Sequence, residues 1–400
     1  MITAAIISEF NPFHNGHRLL IEKARRELHA DRILILMSGD YVQRGAPAVT
    51  DRYIRTQMAL CSGCDAVLSY PARFAVSSAE AFAENAVRIL DGLHCADYLV
   101  FGSECGDLRV LQKAACALSA ESESYRTKLR SGLKHGLSFP EARADALPEF
   151  SGLLSSPNNI LAVEYLKAII KTDSHLQPVT MKREGALHGD NTLTGTLCSA
   201  GALRRVILEE RDLSAAGTGI PSEGFQILKN DLLTGGAVSA DDFSVLLGEK
   251  LFSASCPEEY TAYREMTADL ANAIFNHRNS YRGFSSFAGE IKPKSMTLSH
   301  IRRALLLLLL GITKNTAPEK PVFTQLLGFR KQAVDLVSLM GKSASVPVIF
   351  RPAAEIPAMG TELRGAFNEE TRVSNLYGMV RALKSGRPFI NTLSRPIIKL

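Results

Sequence analysis

Apolar residues in the first hundred positions arrive in short dense runs, separated by stretches in which they recur with helical spacing. Ile2-Thr3-Ala4-Ala5-Ile6-Ile7, Arg32-Ile33-Leu34-Ile35-Leu36-Met37, Ala66-Val67-Leu68-Ser69-Tyr70 and Asp97-Tyr98-Leu99-Val100-Phe101 each read as a strand, and the near-continuous runs read as strands covered on both faces. Between them, Arg18–Ala24, Asp51–Leu60 and Ser78–Leu93 carry the pattern of amphipathic helices. Repeated strand–helix–strand units with short connections predict an α/β fold built on a doubly wound parallel sheet. Ligands bind such sheets beyond the carboxyl ends of the strands, so the loops His14–His17, Ser38–Gly45 and Gly102–Glu104 should face one crevice.

The pattern then changes. Residues 108–150 read as charged helix, Ser155-Ser156-Pro157-Asn158-Asn159 opens an amphipathic helix over Ile160–Ile170, and Val179-Thr180-Met181 reads as a further strand. Beyond about residue 215 the pattern is mostly helical. Its longest apolar run, Ala304–Ile312 with six consecutive leucines, is about half of a membrane span and reads as the middle of a buried helix. These patterns predict a sheet domain over 1–210 and a mainly helical, basic domain over 211–400.

Composition sharpens this division. From Ala271 to Leu400 there are 19 Lys and Arg against 7 Asp and Glu, while the whole chain carries only +5. A basic helical half points to a polyanionic partner. The N-terminus begins as a strand without the basic, apolar and small-residue regions of a signal peptide. Seven scattered cysteines suit a reducing cytoplasm. Cys61-Ser62-Gly63-Cys64 has C-x-x-C spacing but no second pair at zinc-ribbon distance, and reads as packing. No metal cluster and no membrane association are expected. The sequence carries no signal for an oligomeric state.

The chemistry concentrates in Ile7-Ser8-Glu9-Phe10-Asn11-Pro12-Phe13-His14-Asn15-Gly16-His17, between the first strand and the first helix. Free backbone amides and the positive helix end favour anions there. Two imidazoles flanking a glycine can reach successive phosphates, and Gly16 is expected to let the backbone approach closely. This is a way to grip a nucleoside triphosphate without a Walker loop, and the chain contains no GxxxxGK[ST].

H-x-G-H after a first strand, with a later small-residue turn ending in arginine, resembles the nucleotidylyltransferase superfamily and its Rossmann-like fold. The second signature reads roughly I-S-S-T-x-x-R there. Here it is Cys198-Ser199-Ala200-Gly201-Ala202-Leu203-Arg204, in which Ser199 and Arg204 match and Gly201 replaces a threonine. Further stretches narrow the match: Met37-Ser38-Gly39-Asp40, Gln43-Arg44-Gly45-Ala46-Pro47, Phe101-Gly102-Ser103-Glu104, Pro157-Asn158-Asn159-Ile160-Leu161 and Arg183-Glu184-Gly185. In this order they resemble the bacterial tRNA(Met) cytidine acetate ligase family.

That resemblance implies an enzyme that adenylylates acetate with ATP and passes the acetyl group to the exocyclic amine of the wobble cytidine in elongator tRNA(Met). It implies an ATP site made from Ile7–Leu20 (with Arg18, Leu19 and Leu20 completing the turn and helix start), Gly102, Asn159, Arg183 and Glu184. His14 and His17 are assigned to phosphate contacts, Ser199 and Arg204 to the β- and γ-phosphates, and a magnesium ion is expected to bridge the triphosphate. Asp40 and Glu104 are loop candidates for a base. Lys292, Lys294, Arg302 and Arg303 resemble the family's basic stretch and are expected to meet tRNA phosphates. Two other readings stand beside this one: a small-molecule adenylyltransferase with a nucleotide or phosphopantetheine acceptor, and a non-catalytic RNA-binding protein.

Overall fold

The computed structural model describes residues 1–183, 195–315 and 319–400. Four parallel strands follow the four apolar runs: β1 (Thr3–Ser8), β2 (Arg32–Ser38), β3 (Ala66–Tyr70) and β4 (Tyr98–Ser103). A fifth, β5 (Gln177–Lys182), lies beside β4. Their order in the sheet is β3-β2-β1-β4-β5, so the chain starts in the middle and winds outward both ways. The β1/β4 boundary is the point where the winding reverses, and a crevice opens there at the carboxyl ends.

Alternation within the strands divides two cores. Ala5, Leu34, Leu36, Ala66 and Leu68 face one layer of helices, while Ala4, Ile6, Ile33, Ile35, Met37 and Val67 face the other. The helices begin where a side chain can satisfy free amides. The first, α1 (Asn15–Glu27), is capped by His14. Asp51 accepts from the amides of Tyr53 and Ile54 at the start of α2 (Arg52–Cys61), and Ser78 accepts from Ala81 N before α3 (Ala79–Gly92). Residues 108–150 form helices, among them α4 (Leu108–Ala120), α5 (Glu123–Lys134) and α6 (Phe139–Ala146). The helix expected from Ile160 starts earlier, as α7 (Pro157–Thr172). Proline is tolerated at its first position, and the Pro-Asn-Asn turn becomes the first helical turn. A short helix, α8 (Ala200–Arg205), leads into the second half.

The half after residue 211 is mainly helical, but it also returns strands to the sheet, which its helical pattern did not foretell. β6 (Thr324–Phe329) runs antiparallel to β3, and β7 (Val348–Ile349) and β8 (Ile398–Lys399) pair with β6. Five of the six β6 residues are buried, so packing overrides a weak local signal. Gly328 is required: a Cβ there would lie 2.8 Å from Thr56 Cγ2 and 2.9 Å from Ile398 Cβ.

The leucine run forms the end of α9 (Leu298–Leu309), with Leu305–Leu309 all buried. The helix is apolar on most of its surface because other helices surround it. A long final helix, α10 (Thr361–Ser385), is joined to the sheet by the buried Arg52. That guanidinium reaches Glu370 Oε1 at 3.3 Å and Thr392 Oγ1 at 2.7 Å. Among the described residues, no helix is long and apolar enough to cross a membrane.

Candidate active site

The crevice at the strand ends is one large cavity of about 1290 Å³. The end of β1, the loop after it and the start of α1 supply Ile7, Ser8, Glu9, Phe10, Asn11, His14, His17 and Leu20 to its wall; the loop after β2 supplies Gln43 and Arg44; the end of β4 supplies Phe101 and Gly102. All three loops expected to meet do so.

His14 caps α1 from an extended backbone. Its Nδ1 accepts from Gly16 N at 3.0 Å, and His17 Nδ1 accepts from His14 N at 3.2 Å. The rings stack, with centroids 3.7 Å apart, and Phe10 and Phe13 pack edge-on or tilted against His17. Because both Nδ1 atoms accept, each neutral ring carries its proton on Nε2. Burial, then Arg183 and Arg204, push His14 down to about 3; burial, then His14 and Arg183, hold His17 well below its ordinary value. The pair are therefore neutral donors at neutral pH.

The role of Gly16 differs from the expected one. A Cβ there would lie 2.9 Å from His14 Cε1, so the glycine makes room for the capping imidazole rather than for a phosphate. Gly102 behaves likewise: its Cβ would sit 3.2 Å from Arg183 Cγ, so it lets Arg183 lie across the strand end.

Two arginines complete the wall. Arg204 Nη1 donates to Asn11 O at 2.7 Å, and burial lowers the proton affinity of both Arg204 and Arg183. Ser199 caps α8 by accepting from Ala202 N at 3.0 Å, and it lines the cavity with Arg204. Gly201 has room for a Cβ, with Ser199 Oγ at 3.6 Å, so the missing threonine leaves open space.

The remaining assignments divide. Asn15 turns from the cavity and ties α1 to the carbonyls of Thr196 and Thr218. Pro12 and Phe13 are buried; Arg18 is exposed and paired with Glu22; Leu19 is off the wall. Asn158 lines the cavity, whereas Asn159 is buried and accepts from Cys105 N at 3.0 Å, bracing the loop after β4. Glu184 lies outside the described residues. Neither base candidate is available. Asp40 is buried and accepts from Arg52 N, while Glu104 accepts from Asn158 and Asn159 at the start of α7. Lys292 and Lys294 are exposed and Arg302 is half-buried. Arg303 does not share their surface. It is 7% exposed, lines the cavity and pairs with Glu265 at 2.9 Å, because it lies on the inner face of α9.

Sequence reasoning missed Arg55. This fully buried arginine donates to Glu9 O at 2.7 Å, Ser38 O at 3.0 Å, Thr50 O at 3.1 Å and Gly39 O, pinning the loops after β1 and β2 together. Its only signal was a basic residue at an inward position of an amphipathic helix. The C-x-x-C cysteines are free, and burial pushes the Cys64 thiol up, which suits packing. Among the described residues, no three His, Cys, Asp or Glu side chains gather to hold a metal.

Comparison with known proteins places this geometry. A HIGH nucleotidyl transferase family model matches residues 1–388. A tRNA(Met) cytidine acetate ligase from Acetivibrio thermocellus is 32% identical over 395 residues, covering 95% of each chain. One from Caldicellulosiruptor saccharolyticus is 35% identical and covers 83% of each. The chain belongs to the tRNA(Met) cytidine acetate ligase family. Its fold is that of Thermotoga maritima TmcAL, with TM-scores of 0.91 to the apo crystal structure and 0.89 to the structure bound with alpha-thio ATP. Both are 28% identical, with full coverage of either chain.

Proposed function

We propose that this chain activates acetate with ATP and acetylates the N4 amine of the wobble cytidine in elongator tRNA(Met), giving N(4)-acetylcytidine in the cytoplasm. The observation that carries this reading is the stacked His14–His17 pair. Two neutral Nε2–H donors meet Arg183 and Arg204 in one crevice, a set of donors suited to the oxygens of a triphosphate.

Acetate would attack the α-phosphorus in line with the bond to pyrophosphate. That bond breaks as the new P–O bond forms, leaving acetyl-adenylate. Charge develops on oxygens only, so positioning and fixed donors are the main requirements. His14 and His17 would hold phosphate oxygens without the cost of a proton, while Arg204 and Ser199 would take the β- and γ-phosphates. Arg183 would neutralise charge near the α-phosphate. Magnesium would accompany ATP as part of the substrate and would supply charge neutralisation, with no step routed through it.

The cytidine N4 would then attack the acetyl carbonyl and expel AMP, with the surplus proton released to solvent. That lone pair is delocalised into the ring, which is why the acid must be activated first. Lys292, Lys294 and Arg302 would steer the tRNA through its phosphates. Labelled acetate should pass to tRNA with a wobble cytidine when ATP is present, and not to the same tRNA with a wobble uridine. Labelling that ignores the wobble base would overturn the assignment.

A further inference from the structure

Helix α5 carries two stripes side by side. Tyr125, Leu129 and Leu133 recur with helical spacing and line the cavity, and Leu133 and Phe139 are 41% and 50% exposed where it opens to solvent. One position further on, Arg126, Arg130 and Lys134 repeat the spacing and are exposed, about 6 Å apart along the helix axis. Against these three and Lys128, the helix holds one acid, Glu123. Glu121, just before it, pairs with Arg126 at 3.3 Å, but both side chains are 53% exposed, and so open a pair exchanges readily for another anion. The basic stripe therefore follows the rim of the cavity. The helical half brings cations to the same opening. Ser295, Met296 and Thr297 line the cavity directly after the exposed Lys292 and Lys294. Glu141 on α6 marks how near that loop comes: hydrogen bonds from Ser138 and, less strongly, the charge of Lys292 hold its carboxyl below the ordinary range.

We propose that the Arg126–Arg130–Lys134 stripe is a second tRNA-contact surface, and that it and the Lys292–Lys294 loop hold the backbone on the two flanks of the anticodon loop at the mouth of the cavity. This rests on the function proposed above and deepens it. A base that must leave its stack to reach a reacting centre needs the backbone on either side of it held in register. Cations on successive helical turns suit a phosphate backbone, which presents charge at regular intervals and without regard to sequence. Leu133 and Phe139, beside the stripe, offer exposed apolar and aromatic surface on which an unpaired base can rest. A cationic stripe elsewhere would serve an acidic protein as well. Placed at the opening of the nucleotide site, it serves the molecule that must enter.

The test measures tRNA(Met) affinity across a salt series, maps protected phosphates by backbone cleavage, and follows ATP binding separately. Arg126→Glu with Arg130→Glu and Lys134→Glu is expected to weaken tRNA binding by about tenfold or more and to lower the salt slope by about 1 for each cation that meets a phosphate. Protection should disappear on one flank of the anticodon loop, and ATP binding should be unchanged. Lys331→Glu with Lys342→Glu, exposed positions off the cavity wall, should behave as wild type. Unchanged tRNA affinity in the stripe variant, an equal loss in the control, or lost protection outside the anticodon arm overturns the proposal. Should the triple variant fail to fold, Arg130→Gln with Lys134→Gln decides: it must lower the salt slope and the anticodon-arm protection, and wild-type values overturn the proposal. Failure of wild-type protein to transfer acetate to tRNA would instead remove the function above, and the footprint would still show whether the stripe meets RNA.

Discussion

The His14–His17 turn and the Lys292–Lys294 loop are both offered to phosphates, yet they are built in opposite ways. In the turn the side chains are fixed in place. Nδ1 of each imidazole accepts from a backbone amide, two phenylalanines pack on His17, and Arg55 pins the loops from below. The loop is exposed, with Lys292 and Lys294 open to solvent. A site that must place one phosphorus atom needs rigid, desolvated donors. A surface that must attract a long polyanion needs only charge, and solvation keeps its side chains adaptable.

The contrast breaks most visibly at His17. His17→Ala removes one preorganised donor and should lower acetate-dependent ATP–pyrophosphate exchange by about 10²–10³-fold. Stability should fall by only about 1 kcal/mol, the cost of a lost helix-cap partner, since His17 also accepts from His14 N. Normal exchange in that variant would show that the turn is not the phosphate site.

Arg55→Met should come next. It leaves the carbonyls of Glu9, Ser38 and Thr50 without their donor, and a buried group so orphaned costs about 1–3 kcal/mol. Urea unfolding should report the loss, together with weaker exchange. Full stability would mean that the loops hold themselves.

On the other side, Lys292→Glu with Lys294→Glu should weaken tRNA binding uniformly across sequences and reduce the salt slope by about 1 for each lysine that meets a phosphate. ATP binding should stay unchanged. A tRNA affinity equal to wild type would take this loop out of the interface.

The same turn also predicts a pH dependence. Unfolded, His14 titrates near 6.5; folded, it stays neutral down to about 3. Between those values the unfolded chain takes up a proton that the folded one refuses, so stability is lost as pH falls from 6.5 towards 3. His14→Gln should flatten that part of the stability profile, measured by urea unfolding at several pH values. An unchanged profile would place the proton elsewhere.

The sheet centre was legible because strands covered on both faces write themselves as apolar runs, and the helix starts because Asp51 and Ser78 are good caps. β6 was not, since its pairing with β3 is set by distant packing around Gly328. Site residues were legible as chemistry and less so as geometry. His14, His17, Ser199 and Arg204 do converge on one cavity, but Gly16 and Gly102 serve neighbouring side chains, and Asn159 braces a loop while Asn158 faces the cavity. Arg302 and Arg303 are adjacent in sequence and yet face different ways, as consecutive positions on a helix must.

The central claim is that this crevice makes an acyl-adenylate. ATP–pyrophosphate exchange with purified protein, across acetate, no acid and a small panel of carboxylates, with and without tRNA, tests it most directly. Exchange that requires acetate is the expected result. Exchange driven by a nucleotide or phosphopantetheine instead, or none with acetate even when tRNA is present, would contradict it.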